Sequence, residues 1–439
     1  MSRIPVIIDT DPGVDDTLAL LLALASPELD ILAIIVSYGN TDADASYLNV
    51  LRIYETLSRQ IAQDPEQQRH WPNFAPLRKT ILARGADHPL EGDLHSAQYF
   101  HGRDGLGDIT KRFPSLKLSK EDVSSSEHPQ LHLTDRPGTD VALDLIRSHA
   151  SQTITYLALG PLTTLAQIVK KSEGLFGERI GKVICMGGAL DVPGNTSPVA
   201  EFNFFADPYA VHNLLTPPPS VPTPIPLEKF ILLPLDITTP HELPFPYYIQ
   251  QIDPSFGGQS QSNNVQSTDE GSQSPLVYFT SAFLSRTRQV MLKFGKDAME
   301  LHDIAVVWCA IENPPSVSSK PLQLRKGWEV VRRHFQIERH GELTRGMLVI
   351  DRRNDDGAYS PGANRAHVQA ELERLHAHTD GYLESAAVPA QVEVESEAQA
   401  DPPSAHVGEV GTGVPVVTKT PGSDVLLKLL AERIWGVGR

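Results

Sequence analysis

The sequence predicts a single α/β domain whose open, mainly parallel sheet is covered by helices on both faces. Three observations carry that prediction. Short apolar, β-branched runs alternate along the chain with stretches whose apolar spacing is helical. Several of the strand-like runs end in Gly, Asn or Asp, where ligand-binding loops would begin. The chain also opens on strand, turn and helix in quick succession, with four aspartates in "DTDPGVDD", residues 9 to 16.

The first strand is read from "IPVII", and "TLALLLALAS" after the turn is apolar almost without break at helical length. Pro12 and Gly13 bend the chain between them. Asp15 and Asp16 then fall in the first helical turn, where the helix dipole favours carboxylates, so an ordinary capping role accounts for those two. It does not account for Asp9 and Asp11, which stand before the helix and, alternating along the strand end, share one side. Repulsion among such carboxylates is offset by water, by shared protons or by a bound cation. The apolar flanks argue against plain exposure. An oxygen-only set suits Ca²⁺ or Mg²⁺, and Ca²⁺ better tolerates an irregular shell.

Further strands are expected at "DILAIIVSYGN", "TILARG", "ITYLALGP", "KVICMGGAL" and "FILLPLDIT", with amphipathic helices at "TDVALDLIRSHA" and "PLTTLAQIVKK". Three kinds of stretch break this rhythm. "DPEQQRHWPN" from Asp64 interrupts a helix-to-strand connection, Pro-rich and Gln/Ser-rich segments occupy about 217–226 and 255–274, and an acidic, Pro-containing segment covers about 386–422. Their composition predicts solvated, poorly ordered insertions without a chemical role. The final "SDVLLKLLAERI" is an amphipathic helix expected to dock back on the core, which makes 386–422 a loop and 1–439 one domain.

A chain of 439 residues buries a sizeable core, and 40% hydrophobic with 7% aromatic residues is ordinary for a soluble protein. A formal charge of -16 disfavours nucleic acid and anionic membrane as partners, since both demand basic surfaces. The two cysteines, Cys185 and Cys309, lie inside apolar runs and predict buried thiols in a reducing compartment. The first strand starts too early to leave room for a signal sequence, and "TLALLLALA" is too short to span a bilayer, so a cytoplasmic location is expected.

Later segments supply polar groups in unusual settings. "LHDIAVVW" places His302 and Asp303 before an apolar run, a pattern that taken alone reads as a helix cap beside a surface histidine. "AEFNFFADP" sets Glu201 and Asn203 in alternation among aromatics, poor for a core strand and good for gripping hydroxyls. "YFHGRDGLGD" is a Gly-rich polar stretch suited to a loop that carries His101 over a pocket. Tyr278, Phe279 and Phe283 fall at helical spacing. Such a face is ordinarily core, with stacking on a nucleobase as the alternative.

Taken in order, "DTDPGVDD", "SYGN", "HGRDGLG", "LALGPLTTLA", "MGGAL", "VAEFNFFADP", "LPLDIT", "LHDIAV" and "GELTRGMLVID" resemble the inosine-uridine preferring nucleoside hydrolases, from Val6 to about Arg352. The resemblance implies a Rossmann-like sheet, a bound Ca²⁺ and hydrolysis of the N-glycosidic bond of ribonucleosides, with a homodimer or homotetramer as the assembly. It implies Asp11, Asp16, Asp303 and the backbone carbonyl of Leu159 as Ca²⁺ ligands, with Asp9 behind them. Asp15 would hold the 2′ and 3′ hydroxyls, and Asn40, Met186, Glu201 and Asn203 the rest of the substrate's sugar side.

The chemistry fits these residue types. Glycosidic cleavage develops positive charge on the ribose, which nearby carboxylates stabilise, and a cation-bound water gives up its proton more readily. Asp11 is the candidate base for that water, and His302 with His101 the candidate donors to the leaving base. The loop histidine is more like members that act on pyrimidines or on both base classes, which makes uridine the expected substrate and a purine-specific hydrolase the alternative. Tyr38, just before Gly39 and Asn40, and the long insertion between Thr216 and Ser274 depart from the family pattern, which makes substrate preference harder to carry over than mechanism. A haloacid-dehalogenase-like phosphotransferase would leave "VAEFNFFADP" and "LHDIAV" without a role. A non-catalytic nucleoside-binding protein remains the other alternative.

Overall fold

The computed structural model describes residues 3–118, 127–218, 220–256, 273–315, 322–352 and 413–438. Among these described residues a nine-stranded sheet runs in the order β10-β13-β7-β6-β5-β1-β2-β3-β4. Its strands are β1 (Ile4–Thr10), β2 (Leu29–Val36), β3 (Thr80–Arg84), β4 (Leu131–Pro137), β5 (Thr155–Ala158), β6 (Lys182–Met186), β7 (Phe230–Leu233), β10 (Glu329–Arg333) and β13 (Val414–Lys419). Every pairing is parallel except that of edge strand β10 with β13. Two small antiparallel pairs stand apart, β8 (Glu242–Pro244) with β9 (Ala298–Glu300) and β11 (Gln336–Ile337) with β12 (Leu348–Val349).

The six strands expected from apolar runs all form, and their centres are buried on both faces, as a sheet covered by helices requires. The chain steps outward from β1 through β2, β3 and β4, then returns to the other side of β1 with β5, β6 and β7. The order therefore reverses between β1 and β5. A crevice opens at such a point beyond the carboxyl ends of the strands, and ligands of open α/β sheets bind there.

Helix α1 (Val14–Leu24) follows β1 directly and is buried almost all round, which explains its near-continuous apolar sequence. Asp16 fixes its start by accepting the Gly13 amide at 3.1 Å. Helix α2 (Ala43–Gln63) begins at Asp42, whose carboxylate accepts the Ala45 amide at 2.8 Å. The helix His302–Glu312, apolar on nearly every side, packs against α1 under the sheet's crevice.

Two parts of the expected insertions are regular structure. Residues Pro65–His70 form a 3-10 turn, and Trp71 and Asn73 beyond it are buried, with Asn73 donating to the carbonyls of Ala23 and Ser26 at the end of α1. The polar composition there belongs to the turn alone; the Trp and Asn after it cap the core. The stretch assigned to the acidic insertion 386–422 ends in β13, which completes the parallel sheet beside β7. Most of that insertion and of 255–274 lies outside the described residues. The last helix, Ser423–Trp435, does dock: Leu426, Leu430 and Ile434 are buried, and Arg433 pairs with Glu28 at 2.8 Å.

Candidate active site

Asp11 and Leu159 are the first residues past the ends of β1 and β5, so the order reversal of the sheet sets them side by side. A cavity of about 450 Å³ opens over this point. It is lined by Asp15, Asn40, His101, Leu159, Met186, Glu201, Asn203, His302 and Asp303, which the sequence had pointed to from seven separate segments. Asp11 and Asp16 lie beneath that lining and are fully buried.

The aspartates are held individually. Asp16 accepts from Thr10 Oγ1 at 2.6 Å, from the Gly13 amide at 3.1 Å and from Asn40 Nδ2 at 2.7 Å. Asp11 accepts the Asn40 amide through Oδ2 at 2.7 Å, while its Oδ1 has no hydrogen-bond partner among the described residues. Space for this carboxylate depends on glycine: a Cβ on Gly39 or Gly160 would collide with Asp11. Asp9 accepts the Tyr156 hydroxyl at 2.8 Å, and burial raises its pKa to about 8 against that donation.

Among the described residues, Asp15, Asp16 and Asp303 each place a carboxylate oxygen within 4.8 Å of the others'. Burial, and after it mutual repulsion among the aspartates, pushes the carboxyls of Asp11 and Asp303 well above the usual range. A divalent cation would reverse that cost. The donor set of buried carboxylates and the unpartnered Asp11 oxygen fit a hard, oxygen-seeking cation. The trio includes Asp15, which the resemblance assigned to the sugar, with Asp11 adjoining it through the amide it donates to Asp16 at 3.3 Å.

Glu201 and Asn203 do not sit on a strand. Phe202–Ala206 is a short helix, and Glu201 is its N-cap, accepting the amides of Asn203, Phe204 and Gly188 at 2.7 to 3.1 Å. The alternation read from the sequence is thus a helix start followed by a second capped start at Asp207. Asn203 donates from Nδ2 to the Leu159 carbonyl at 2.7 Å, which ties this helix to the end of β5.

The two histidines differ in character. His101, at the end of the helical turn α3 (Gln98–His101), accepts the Val14 amide at Nδ1 over 3.1 Å. Gly13 permits that approach, since a Cβ there would strike the ring. Burial, then the nearness of His302, depresses its pKa to about 3, so it is a neutral ring with its hydrogen on Nε2. His302 is the opposite: burial works against its charged form, but hydrogen bonding and attraction to Glu300 prevail and raise its pKa. Thr238 Oγ1 stands 2.8 Å from its Nδ1.

Residues not singled out in the sequence complete the cavity. Tyr99, Phe100, Met291, Phe294 and Met299 give it an apolar end, and Lys296 and Glu300 line it as well. Tyr278, Phe279 and Phe283 are absent from that lining, and the two phenylalanines are fully buried, so the core reading of that helix face holds. The one sequence signal for Glu300 was its position two residues before His302. Tyr38 is also buried away from the cavity, its hydroxyl 3.0 Å from Thr163 Oγ1.

An open parallel sheet with a carboxylate cluster and two histidines at its reversal point defines a Rossmann-like fold with a candidate ligand site at that point. The family model for inosine-uridine preferring nucleoside hydrolases matches residues 6–377, and the chain belongs to that family. It is 34% identical over 212 residues to uridine nucleosidase 1 of Arabidopsis thaliana, covering 48% of this chain and 53% of that protein. It is also 34% identical over 210 residues to the pyrimidine-specific ribonucleoside hydrolase RihA of a Shewanella species, 48% of this chain and 54% of that protein. The chain thus spans about half the length of these curated relatives. The solved structure of a plant nucleoside hydrolase superposes with a TM-score of 0.60 at 21% identity, covering 99% of each chain. Among the described residues no helix is long and apolar enough to cross a membrane.

Proposed function

We propose that this chain hydrolyses the N-glycosidic bond of ribonucleosides, with uridine as a good substrate. The observation that carries the reading is the convergence of Asp15, Asn40, His101, Asn203, His302 and Asp303 on one cavity at the sheet's reversal point. Asp11, Asp16, Asp303 and the Leu159 carbonyl would hold a Ca²⁺, for which an oxygen-only donor set is the support. When bound, that ion acidifies a water and draws the ribose hydroxyls into register.

The chain's own residues do the rest. Asp15 accepts the 2′ and 3′ hydroxyls, and Asn40, Glu201, Asn203 and Met186 orient the ribose. Asp11, whose Oδ1 lacks a partner among the described residues, takes a proton from the water as it adds to C1′ and the C1′–N bond breaks. Buried carboxylates around the ring stabilise its developing positive charge. His302, with its raised pKa, delivers a proton to the departing base, and neutral His101 supplies a hydrogen bond from Nε2.

The names of the Arabidopsis and Shewanella relatives support the pyrimidine preference. Cys185 and Cys309, buried and unpaired, support a reducing, cytoplasmic setting. Assembly as a homodimer or homotetramer rests on the family resemblance and is read by light scattering. The direct test follows uracil release from uridine and hypoxanthine release from inosine, before and after chelation. Absence of base release from both, in protein shown to hold calcium, would refute the proposal.

A further inference from the structure

Glu300 and Glu242 face each other across the β8–β9 pair, where like charges repel. Lys296 resolves the conflict by bonding both, Glu242 Oε1 at 2.5 Å and Glu300 Oε1 at 2.6 Å. One oxygen of Glu300 is thereby anchored. The other, Oε2, lies 3.0 Å from His302 Nε2. With Thr238 on Nδ1, both ring nitrogens of His302 are engaged, and the ring is fixed at the cavity wall that Glu300 and Lys296 also line.

We propose that Glu300 is a positioning residue for His302, an inference that rests on the nucleoside hydrolase reading above. By accepting the Nε2 hydrogen, Glu300 sets the ring plane and holds that hydrogen at the edge of the cavity. A leaving base that receives it at an acceptor nitrogen or oxygen takes the proton from the cavity side and leaves the ring neutral beside Glu300. Lys296, itself paired with Glu242, holds the carboxylate in place against the ring. An ion pair serving only the β8–β9 pair would have no such link to the chemistry.

Steady-state rates on uridine and on p-nitrophenyl riboside, whose leaving group needs no proton, separate the two. Glu300→Ala is expected to lower kcat on uridine roughly 10- to 100-fold, the scale on which partners that orient a functional imidazole act. Its loss on p-nitrophenyl riboside is expected to be far smaller, and Glu300→Gln, which keeps an acceptor oxygen, should recover part of the uridine rate. The double variant His302→Ala/Glu300→Ala should be no slower than His302→Ala alone, because Glu300 acts through the ring. Equal losses on both substrates, or additive losses in the double variant, would overturn the proposal. Should Glu300→Ala fail to fold, Glu300→Gln carries the same two-substrate comparison. A wild-type chain that turns over p-nitrophenyl riboside but is indifferent to these changes overturns this proposal alone. One idle on both substrates overturns the hydrolase reading with it.

Discussion

The cavity has a floor and a roof, and they are built in opposite ways. The floor comes mainly from one short stretch, residues 9 to 16, set by the end of β1 and the start of α1 and joined by Asp303 from the start of the helix His302–Glu312, and the carboxylates of Asp11 and Asp16 are locked by backbone amides and by Asn40. The roof is assembled from His101 on a helical turn, Met291 and Phe294 at the end of the helix Pro275–Lys293, and Glu300 with His302 at the junction of β9 and the next helix. Charge concentrated in a single turn can be held rigidly by the sheet. Groups that meet a variable base are free to differ segment by segment.

The largest expected effect breaks the floor. Asp303→Ala or Asp11→Ala removes a charged oxygen from the cluster, so bound calcium should fall from about one per chain to near zero. Activity should drop by well over about 10³-fold, beyond the roughly 10- to 100-fold that loss of a group behind a metal ligand costs. Elemental analysis and uridine turnover check the two together. A thermal melt adds an independent readout: a ligand that binds only the folded state stabilises it, so chelation should lower the wild-type Tm and leave the Asp303→Ala Tm unmoved. Full activity in metal-free protein would contradict the assignment.

Next comes the sugar, which rests on the floor. If Asp15 and Asn203 hold hydroxyls, loss of one takes a partner from the groups placed to grip it, and 2′-deoxyuridine should be at least about 10³-fold worse than uridine in kcat/KM. Asp15→Ala should shrink that gap while slowing uridine. Comparable constants for the two nucleosides in the wild type would dissociate Asp15 from the ribose.

The same contrast governs how much was legible in the sequence. Strand, turn and helix around "DTDPGVDD" are local patterns of period 2 and 3.6, so β1, α1 and the aspartates between them could be placed by inspection. The alternation at Glu201 and Asn203 marked a polar site without fixing its local structure, because over three residues it looks the same at a capped helix start as on a strand, and only the amides of Gly188, Asn203 and Phe204 decide between them. Strand β13 was hidden by the polar, proline-containing segment before it and by pairing with β7 far back in the chain, Val416 opposite Leu232. The link from Lys296 through Glu300 to His302 left no signal beyond Glu300's place two residues before His302, because Lys and Glu at four-residue spacing usually mark a solvated face.

His101 tests the roof at an intermediate scale. Its Nδ1 is occupied by the Val14 amide, so only Nε2–H remains to serve the base. His101→Ala should cost on the order of 100-fold on uridine, the lower range for a lost proton-handling group, and far less on p-nitrophenyl riboside. Equal losses on both substrates would move His101 from the leaving base to the sugar or to the fold.

The smallest expected effect separates two aromatic positions on or next to one helix. Phe279 is fully buried and packs edge-on against Phe283 with ring centroids 5.3 Å apart, whereas Phe294 is 70% exposed at the mouth of the cavity. Truncating a core phenylalanine leaves a void and costs about 3 to 5 kcal/mol of stability, so Phe279→Ala should lower Tm strongly while folded protein keeps its KM. Phe294→Ala removes a ring that only a bound base would cover. Its stability should change by less than about 0.5 kcal/mol, as for an ordinary surface position, and KM for uridine should rise roughly three- to tenfold if the ring contributes the ~0.5–1.5 kcal/mol of an aromatic contact. Thermal melts and KM on both variants decide it: a KM change confined to Phe279→Ala would put base recognition back on the face that this fold buries.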